Sequence, residues 1–280
     1  MKIGTVSVVA NLSTKVMGII NASPESFYKG SIRTSEREIA ATARQMQQDG
    51  AHIIDIGGMS TAPYLETVIS VEEEKRRIKQ AIKAVKNACD LPITADTPRS
   101  AVADEAVAAG ADAINDVTGL KYDSKMAEVV ARVGVPVIAG AYNRTRAKGS
   151  LAGTLAALRE SIVIAKKFSI KDVIIDPSIG FFRQEGKNQF FTRMTDMPWY
   201  ARDIVVLSSL DALSALKKPI CISVSRKSFI GHLLNLQGED RLIPSIICEA
   251  MAVLNGASIL RTHNVRETVQ ALTMLQLLNP

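Results

Sequence analysis

The sequence predicts an α/β fold of one kind: a (β/α)₈ barrel of eight parallel strands, each followed by a helix. Three observations carry that prediction. The chain has 280 residues, close to the ~250 such a barrel needs. Short apolar runs rich in β-branched residues alternate with longer amphipathic stretches from end to end, the signature of a parallel α/β fold. Hydrophobic residues make up 47% of the chain, enough to fill the barrel and the layer between barrel and helices.

The predicted strands are Val16–Ile20, His52–Ile56, Pro92–Ala95, Ala113–Asn115, Pro136–Gly140, Asp172–Ile175, Pro219–Val224 and Ser258–Leu260. Near-continuous Val/Ile runs suit strands buried on both faces. Periodicity predicts helices over 36–49, 71–88, 99–109, 123–132, 154–168, 199–216, 241–255 and 265–278. Glycine stands where four of these helices end, at Gly50, Gly110, Gly134 and Gly256. There it supplies the left-handed residue that stops a helix, so the recurring Gly-Ala pair is a turn device. Before the first strand, residues 2–9 predict a short β-hairpin under the barrel floor. No Pro/Ser-rich linker or low-complexity tract divides the chain, so residues 1–280 are expected to form a single domain. Three connections after strands are long, 21–35, 57–70 and 177–198. Long loops on that rim are where barrel enzymes keep substrate contacts and lids.

Charge narrows the function. The net charge is +6, from 34 basic and 28 acidic residues. Aromatics are only 5% of the chain, and the basic run Lys75-Arg76-Arg77 follows Glu72-Glu73-Glu74. That is a solvated helix face and not a nucleic-acid surface. A small anionic substrate suits the balance better. No window approaches the ~18 apolar residues of a membrane span, and no signal-peptide pattern is visible at the start of the chain. Cys89, Cys221 and Cys248 are far apart and odd in number, as expected for reduced thiols in the cytoplasm. Three histidines, His52, His232 and His263, are too few for a multi-histidine metal site. Nucleotide-binding, zinc-protease and serine-hydrolase motifs are absent.

The polar residues fall after strands. Asn21 follows the first strand, Ser60 and Thr61 the second, and Asp96 the third. Asn115-Asp116 end the fourth, Tyr142 and Asn143 follow the fifth, and Asp176 ends the sixth. Ser225-Arg226-Lys227-Ser228 follow the seventh, and Arg261 and His263 the eighth. Singly, each acid could be a helix cap. Together on one rim they mark an active site. Asp96, Asn115 and Asp176 offer carboxylates and an amide, a match for the adjacent amino and ring N–H groups of an aminopyrimidinone. Asn21, Ser60, Thr61, Arg261 and His263 offer hydroxyls and cations for phosphate oxygens. Ser228, near a helix start, would add backbone donors.

At these positions the chain resembles the dihydropteroate synthase family. The resemblance rests on "MGIINASPESFYKG" (Met17–Gly30), "DIGGMSTAP" (Asp55–Pro63), "INDVTG" (Ile114–Gly119), "IDPSIGF" (Ile175–Phe181), "SRKSFIG" (Ser225–Gly231) and "RTHNVRET" (Arg261–Thr268), collinear over nearly the whole chain. It implies a transferase that condenses 7,8-dihydropterin-6-ylmethyl diphosphate with an aromatic amine and releases diphosphate, in folate or tetrahydromethanopterin biosynthesis. It implies pterin contacts from Asp96, Asn115, Asp176 and Lys227, and diphosphate contacts from Asn21, Thr61, Arg261 and His263. Lys227 and Ser228 would lie near the amine, Asn21 would meet Mg²⁺, and Asp96, Lys227 and Arg261 would carry catalysis. Two mobile loops, 21–35 and 57–70, and a homodimer are implied as well. The amine would be p-aminobenzoate or, in an archaeal-type member, an aminobenzene bearing a ribose phosphate. Arg144, Arg146, Arg183 and Arg193 are candidate contacts for that phosphate. A neutral aromatic amine is already nucleophilic, so no strong general base is required.

The chain departs from the family pattern at Met59, Ala62, Ala139–Thr145, Phe182-Arg183 and Asn264. Most of these lie toward the second substrate. Two other functions share the barrel: a pterin-dependent methyltransferase, which would not need Arg261 and His263 for diphosphate, and a non-catalytic pterin-binding protein.

Overall fold

A computed structural model describes residues 1–10, 13–24 and 35–278. The predicted hairpin is present as β1 (Lys2–Ile3) and β2 (Val6–Ser7). The chain continues through β3 (Lys15–Asn21), β4 (Ile53–Gly57), β5 (Ile93–Asp96), β6 (Ala113–Asp116), β7 (Val137–Gly140) and β8 (Val173–Asp176). A short parallel pair, β9 (Phe182–Arg183) and β10 (Thr192–Arg193), precedes β11 (Cys221–Ile222) and β12 (Ile259–Thr262). Eight of these strands form one parallel sheet in the order β11-β12-β3-β4-β5-β6-β7-β8. An Ile175–Ile220 bridge closes it into a barrel. The helices are α1 (Glu36–Gln48), α2 (Val71–Lys86), α3 (Ser100–Ala109), α4 (Met126–Val133), α5 (Leu151–Lys167), α6 (Trp199–Ser208), α7 (Ser228–Leu234), α8 (Leu242–Leu254) and α9 (Val265–Leu278).

Local chemistry sets the helix ends. Ser35 and Glu38 form a reciprocal capping box at α1, and Ser70 caps α2. Gly110 and Gly134 end α3 and α4 at φ 109° and 72°, a region closed to most side chains. The predicted helix over 199–216 divides. α6 stops at Ser208, and a 3₁₀ turn runs from Leu210 to Leu216. The Ser208 hydroxyl donates to Val205 O at 3.2 Å, the kind of side-chain bond that competes with helix continuation. Two elements were not predicted. α7 spans 7 residues, too few to show a helical period. The β9–β10 pair lies inside the long 177–198 connection.

Parity along the strands positions the site. Side chains two apart share a face. Val16, Ile54, Ile93, Ile114, Val137, Val173 and Leu260 point outward and pack under the helices. Met17, Ile53, Ala113, Ile138, Ile174, Cys221 and Ile259 point inward and form a separate apolar plug, closed below by Ile3 and Val8 of the hairpin. Two residues further along β4, β6, β8 and β12, toward their C-terminal ends, the interior turns polar.

Candidate active site

The polar layer sits directly on the plug. Asp55 follows Ile53 by two positions, Asn115 follows Ala113, Asp176 follows Ile174, and Arg261 follows Ile259. The ladder fixes their neighbours: Asp96 is in register with both Gly57 and Asn115. Asp55 is fully buried at the centre. Arg261 Nε donates to Asp55 Oδ2 at 2.6 Å, and Arg261 Nη2 donates to Asp96 Oδ2 at 2.7 Å. Asn115 Nδ2 donates to the two Asp55 oxygens at 3.4 and 3.3 Å, and the Thr94 hydroxyl donates to the same carboxylate. One guanidinium therefore bridges a fully buried carboxylate, Asp55, and a partly buried one, Asp96.

The ionisation states follow. Burial opposes charge on Arg261, but Asp55 and Asp96 hold its pKa above the usual arginine value. Burial pushes the Asp96 carboxyl up, Arg261 pulls it down, and the Asp55 charge adds to the rise. Burial also raises Asp176, although the Ser178 N–H donates to it at 2.6 Å. Lys227 is brought down to about 8, first by burial and then by Arg261, and its ammonium lies 4.6 Å from the Phe181 ring centre. Burial, then Arg261, Lys227 and Arg226, depress His263 well below the usual histidine range. His263 is a neutral imidazole at pH 7.

The sequence-predicted residues come together. Asn21, Ser60, Thr61, Ser228 and His263 line an outer hollow of about 60 Å³. Asn115 and Asp176 line a deeper one of about 30 Å³. Thr61, Asp96, Phe181, Lys227 and Arg261 line both. These volumes are small beside the ~300–1,000 Å³ of typical ligand pockets. Arg261 spans the floor, and the second long loop lies over the mouth. Thr67 Oγ1 donates to Ser60 O at 2.6 Å, Asn188 Nδ2 to Ala62 O at 2.7 Å, and Lys187 N to Pro63 O at 2.7 Å. Below this loop the buried Glu74 accepts from Thr97 Oγ1 at 2.6 Å and from Arg99 Nη1 at 2.9 Å. The first long loop falls largely outside the described residues, at 25–34.

Several polar residues have other duties. Asp116 faces outward and staples its own turn, accepting from Thr118 N at 2.8 Å and Leu120 N at 2.7 Å. Arg226, at φ 55°, donates to Gly238 O at 2.9 Å, Glu239 O at 2.8 Å and Asn264 Oδ1 at 2.9 Å. It braces the turn that aims Lys227. Asp55 and the Arg202–Asp203 pair were not among the predicted site residues. Asp203 Oδ1 accepts from Gly180 N at 3.0 Å, and Arg202 Nη2 donates to Pro177 O at 2.6 Å, which fixes the loop after β8. Period-two spacing from the plug residue Ile53 is the signal that identifies Asp55.

The four candidate arginines divide. Arg183 is buried, stacks 3.6 Å over the Trp199 ring centre, lies 5.3 Å from that of Tyr64, and bonds the Ser228 hydroxyl. Arg144, Arg146 and Arg193 line a different cavity on the rim. Among the described residues, no group of three or more His, Cys, Asp or Glu side chains is placed to hold a metal. Asn21 offers a neutral side-chain oxygen, Oδ1, at the end of β3. A Cβ built on Gly57 would lie 3.6 Å from it and 3.9 Å from Asp96 Oδ2, so glycine keeps the space between those oxygens open.

A parallel barrel carrying carboxylates, an amide and cations at its C-terminal mouth is a barrel enzyme for a small anionic substrate with a hydrogen-bonding ring. Comparison with known proteins makes that specific. Residues 17–263 match the family model described as "Pterin binding enzyme". The chain is 36% identical to dihydropteroate synthase of Bacillus subtilis, covering 94% of this chain and 87% of that one. It is also 36% identical to dihydropteroate synthase of Clostridium beijerinckii, covering 99% of each. Among solved structures, dihydropteroate synthase of Clostridium difficile, crystallised in the presence of pteroic acid, superposes with a TM-score of 0.82 at 31% identity, covering 96% of this chain and 98% of that one. The Xanthomonas albilineans dihydropteroate synthase with 4-aminobenzoic acid gives 0.82 at 32% identity, covering 95% and 93%. The chain belongs to the dihydropteroate synthase family of pterin binding enzymes, which are transferases.

Proposed function

We propose that this chain condenses 7,8-dihydropterin-6-ylmethyl diphosphate with 4-aminobenzoate, releasing diphosphate, in folate biosynthesis. The observation that carries this reading is Arg261 shared between Asp55 and Asp96 on the barrel floor. A pterin ring brings amino and ring N–H groups that satisfy carboxylates, so it can replace Arg261 at Asp96 while the guanidinium turns to the diphosphate. Asn115, Asp176 and Lys227 stand around the same space and would hold the ring. Thr61, Asn21 and His263 stand at the outer end, and neutral His263 donates to phosphate without adding a charge.

Departure of diphosphate separates charge, so fixed electrostatics should lower the barrier most. Asp96 faces the positive charge left on the pterin, and Arg261 faces the leaving group. Asn21 fits Mg²⁺, which binds through few protein oxygens together with substrate phosphates and water. Bound there, Mg²⁺ would neutralise charge on the leaving diphosphate. The amine would enter beside Ser228 and Lys227. Arg183, behind Ser228, favours a carboxylate at its far end. The structure with 4-aminobenzoic acid supports this choice of amine. Arg144, Arg146 and Arg193 line a cavity that shares no wall with the two hollows, which weighs against a ribose-phosphate tail passing between them.

A homodimer through α8 is part of the same reading. Ile243, Ile247, Met251 and Leu254 are 71%, 59%, 45% and 57% exposed and recur at helical spacing, an apolar stripe that needs a cover. Among the described residues, no helix is long and apolar enough to cross a membrane. Free Cys89, Cys221 and Cys248 suit a reducing cytoplasm. The test is diphosphate release on mixing pterin diphosphate, Mg²⁺ and 4-aminobenzoate. Release should require both substrates and be lost in Asp96→Ala and Lys227→Ala. Pterin binding without release would leave only a binding protein.

A further inference from the structure

We infer that the rim holds a second ligand site, separate from the pterin site, for a phosphate-bearing molecule with a planar ring. The cavity measures about 820 Å³, within the range of small-molecule pockets. Three arginines face it, and the fold brings them together on purpose-built backbone. Arg144 and Arg146 lie two apart on the segment after β7. Arg193 belongs to β10, which is tied to that segment by Ala147 N to Arg193 O at 2.9 Å and by Asn143 N to Thr192 Oγ1 at 2.8 Å.

These charges lack an internal counterion. Among the described residues, none of the three arginines makes a salt bridge. Asp123, the one carboxylate on the wall, already accepts from Ser100 N at 2.8 Å and Lys125 N at 3.0 Å. All three side chains are exposed, so water and salt screen their repulsion, and a bound anion could reach all three. Each guanidinium grips phosphate oxygens in pairs. Arg144 is already aimed, because its Nε donates to Lys121 O at 2.9 Å and a second N–H donates to Tyr122 O.

The rest of the wall is aromatic and braced. Tyr142 donates to Gln189 O at 3.1 Å, and Gln189 Nε2 donates to the Tyr122 hydroxyl at 2.6 Å. Tyr122 and Phe191 line the cavity and offer ring faces to a planar group. The wall has a second role. Residues 187 and 188, next to Gln189, hold the loop over the pterin site through Pro63 O and Ala62 O. A ligand bound here would stiffen that clamp.

The probe is AMP, titrated calorimetrically into the full chain with inorganic diphosphate saturating the Arg261 end. One AMP per chain should bind. Arg146→Ala/Arg193→Ala should weaken it about tenfold or more, the loss expected when two charge-assisted contacts go. His263→Ala should leave AMP affinity unchanged, and inorganic phosphate should bind about tenfold more weakly than AMP. The double variant should still release diphosphate with 4-aminobenzoate, which separates this site from the catalytic reading. No AMP binding, equal affinity in the double variant, or displacement of AMP by pteroic acid would overturn the proposal.

Discussion

The floor of the pterin site and its rim use the same side chains in different ways. At the floor, Asp96 and Arg261 stand on strands, and the ladder sets their neighbours by register. Their charges are paired directly: Arg261 meets Asp55 at 2.5 Å and Asp96 at 2.7 Å. At the rim, Arg183, Arg144 and Arg146 stand on loops or on the two-residue β9. Among the described residues they make no salt bridge; Arg183 stacks on Trp199, and Arg144 and Arg146 share a cavity wall with Tyr122, Tyr142 and Phe191. At the floor Arg261 already has carboxylate partners, whereas among the described residues the rim arginines have none. Of the positions where the chain departs from the family pattern, Met59 and Ala62 lie on the loop over the mouth, Phe182 and Arg183 on β9, and Ala139 and Gly140 at the end of β7.

The harshest way to break this contrast is Arg261→Ala. It should cut diphosphate release about 10³-fold, as loss of a preorganised charge does. It also strands two buried carboxylates, at about 3–5 kcal/mol of stability. Arg261→Lys should recover much of the stability and little of the activity, because an ammonium cannot fork between two carboxylates. Steady-state kinetics and urea unfolding separate the two losses. Activity within tenfold of the parent in either variant would show that the floor is not the catalytic unit.

Arg202→Ala tests the support of the rim. Arg202 and Asp203 are both fully buried and pair at 3.1 Å, and Arg202 stacks 3.9 Å from the Phe182 ring centre. Removing one partner of such a pair costs about 3–5 kcal/mol. The loop after β8 should loosen with it, read as faster amide exchange at Gly180. Unchanged exchange there would mean that the pair serves the core alone.

These two cases also mark what the sequence could and could not say. Every barrel strand and seven of its helices were legible, because apolar runs and helical stripes are local patterns. Asp96, Asn115, Asp176 and Arg261 were legible because each closes a strand. Asp55 was not, because it lies within the apolar run His52–Ile56 and reveals itself only once Ile53 is known to point inward. Arg183 was placed with the other rim arginines because all four share one region of sequence. Its contact with Ser228, 45 residues away, depends on how the 177–198 connection folds back, and no local pattern encodes that. The meeting of Arg193 with Arg144 and Arg146 likewise rests on a non-local backbone pairing.

A milder perturbation of the floor comes through pH. Glu249 is buried on α8 and accepts from Thr268 at 2.7 Å, while the Thr268 oxygen lies 3.1 Å from the hydroxyl of Thr262, between Arg261 and His263, and can accept from it. Burial pushes its carboxyl from 4.5 up to about 7. The folded state therefore holds a proton that the unfolded chain releases near pH 4.5. The stabilisation is complete below that pH and is lost as pH rises to about 7, by roughly 3 kcal/mol. Glu249→Gln should remove this slope and unfold at higher urea than the parent at pH 8. An identical slope in the variant would assign the pH dependence elsewhere, with Asp96 the next group to test.

The smallest effect sharpens the contrast most. Arg183→Ala leaves the floor untouched and removes the one buried cation behind Ser228. If the rim reads the anionic end of the amine, KM for 4-aminobenzoate should rise about tenfold, the worth of one charge-assisted contact. KM for pterin diphosphate should stay within about twofold. An uncharged amine such as aniline should be used equally well by parent and variant, because it never meets the guanidinium. Arg183→Lys tests geometry against charge: an ammonium keeps the charge but cannot lie flat on Trp199 while bonding Ser228. It should recover only part of the loss. If Arg183→Ala instead raises both KM values together, Arg183 acts by holding the loop after β8, and the rim owes its selectivity to Ser228 and Lys227.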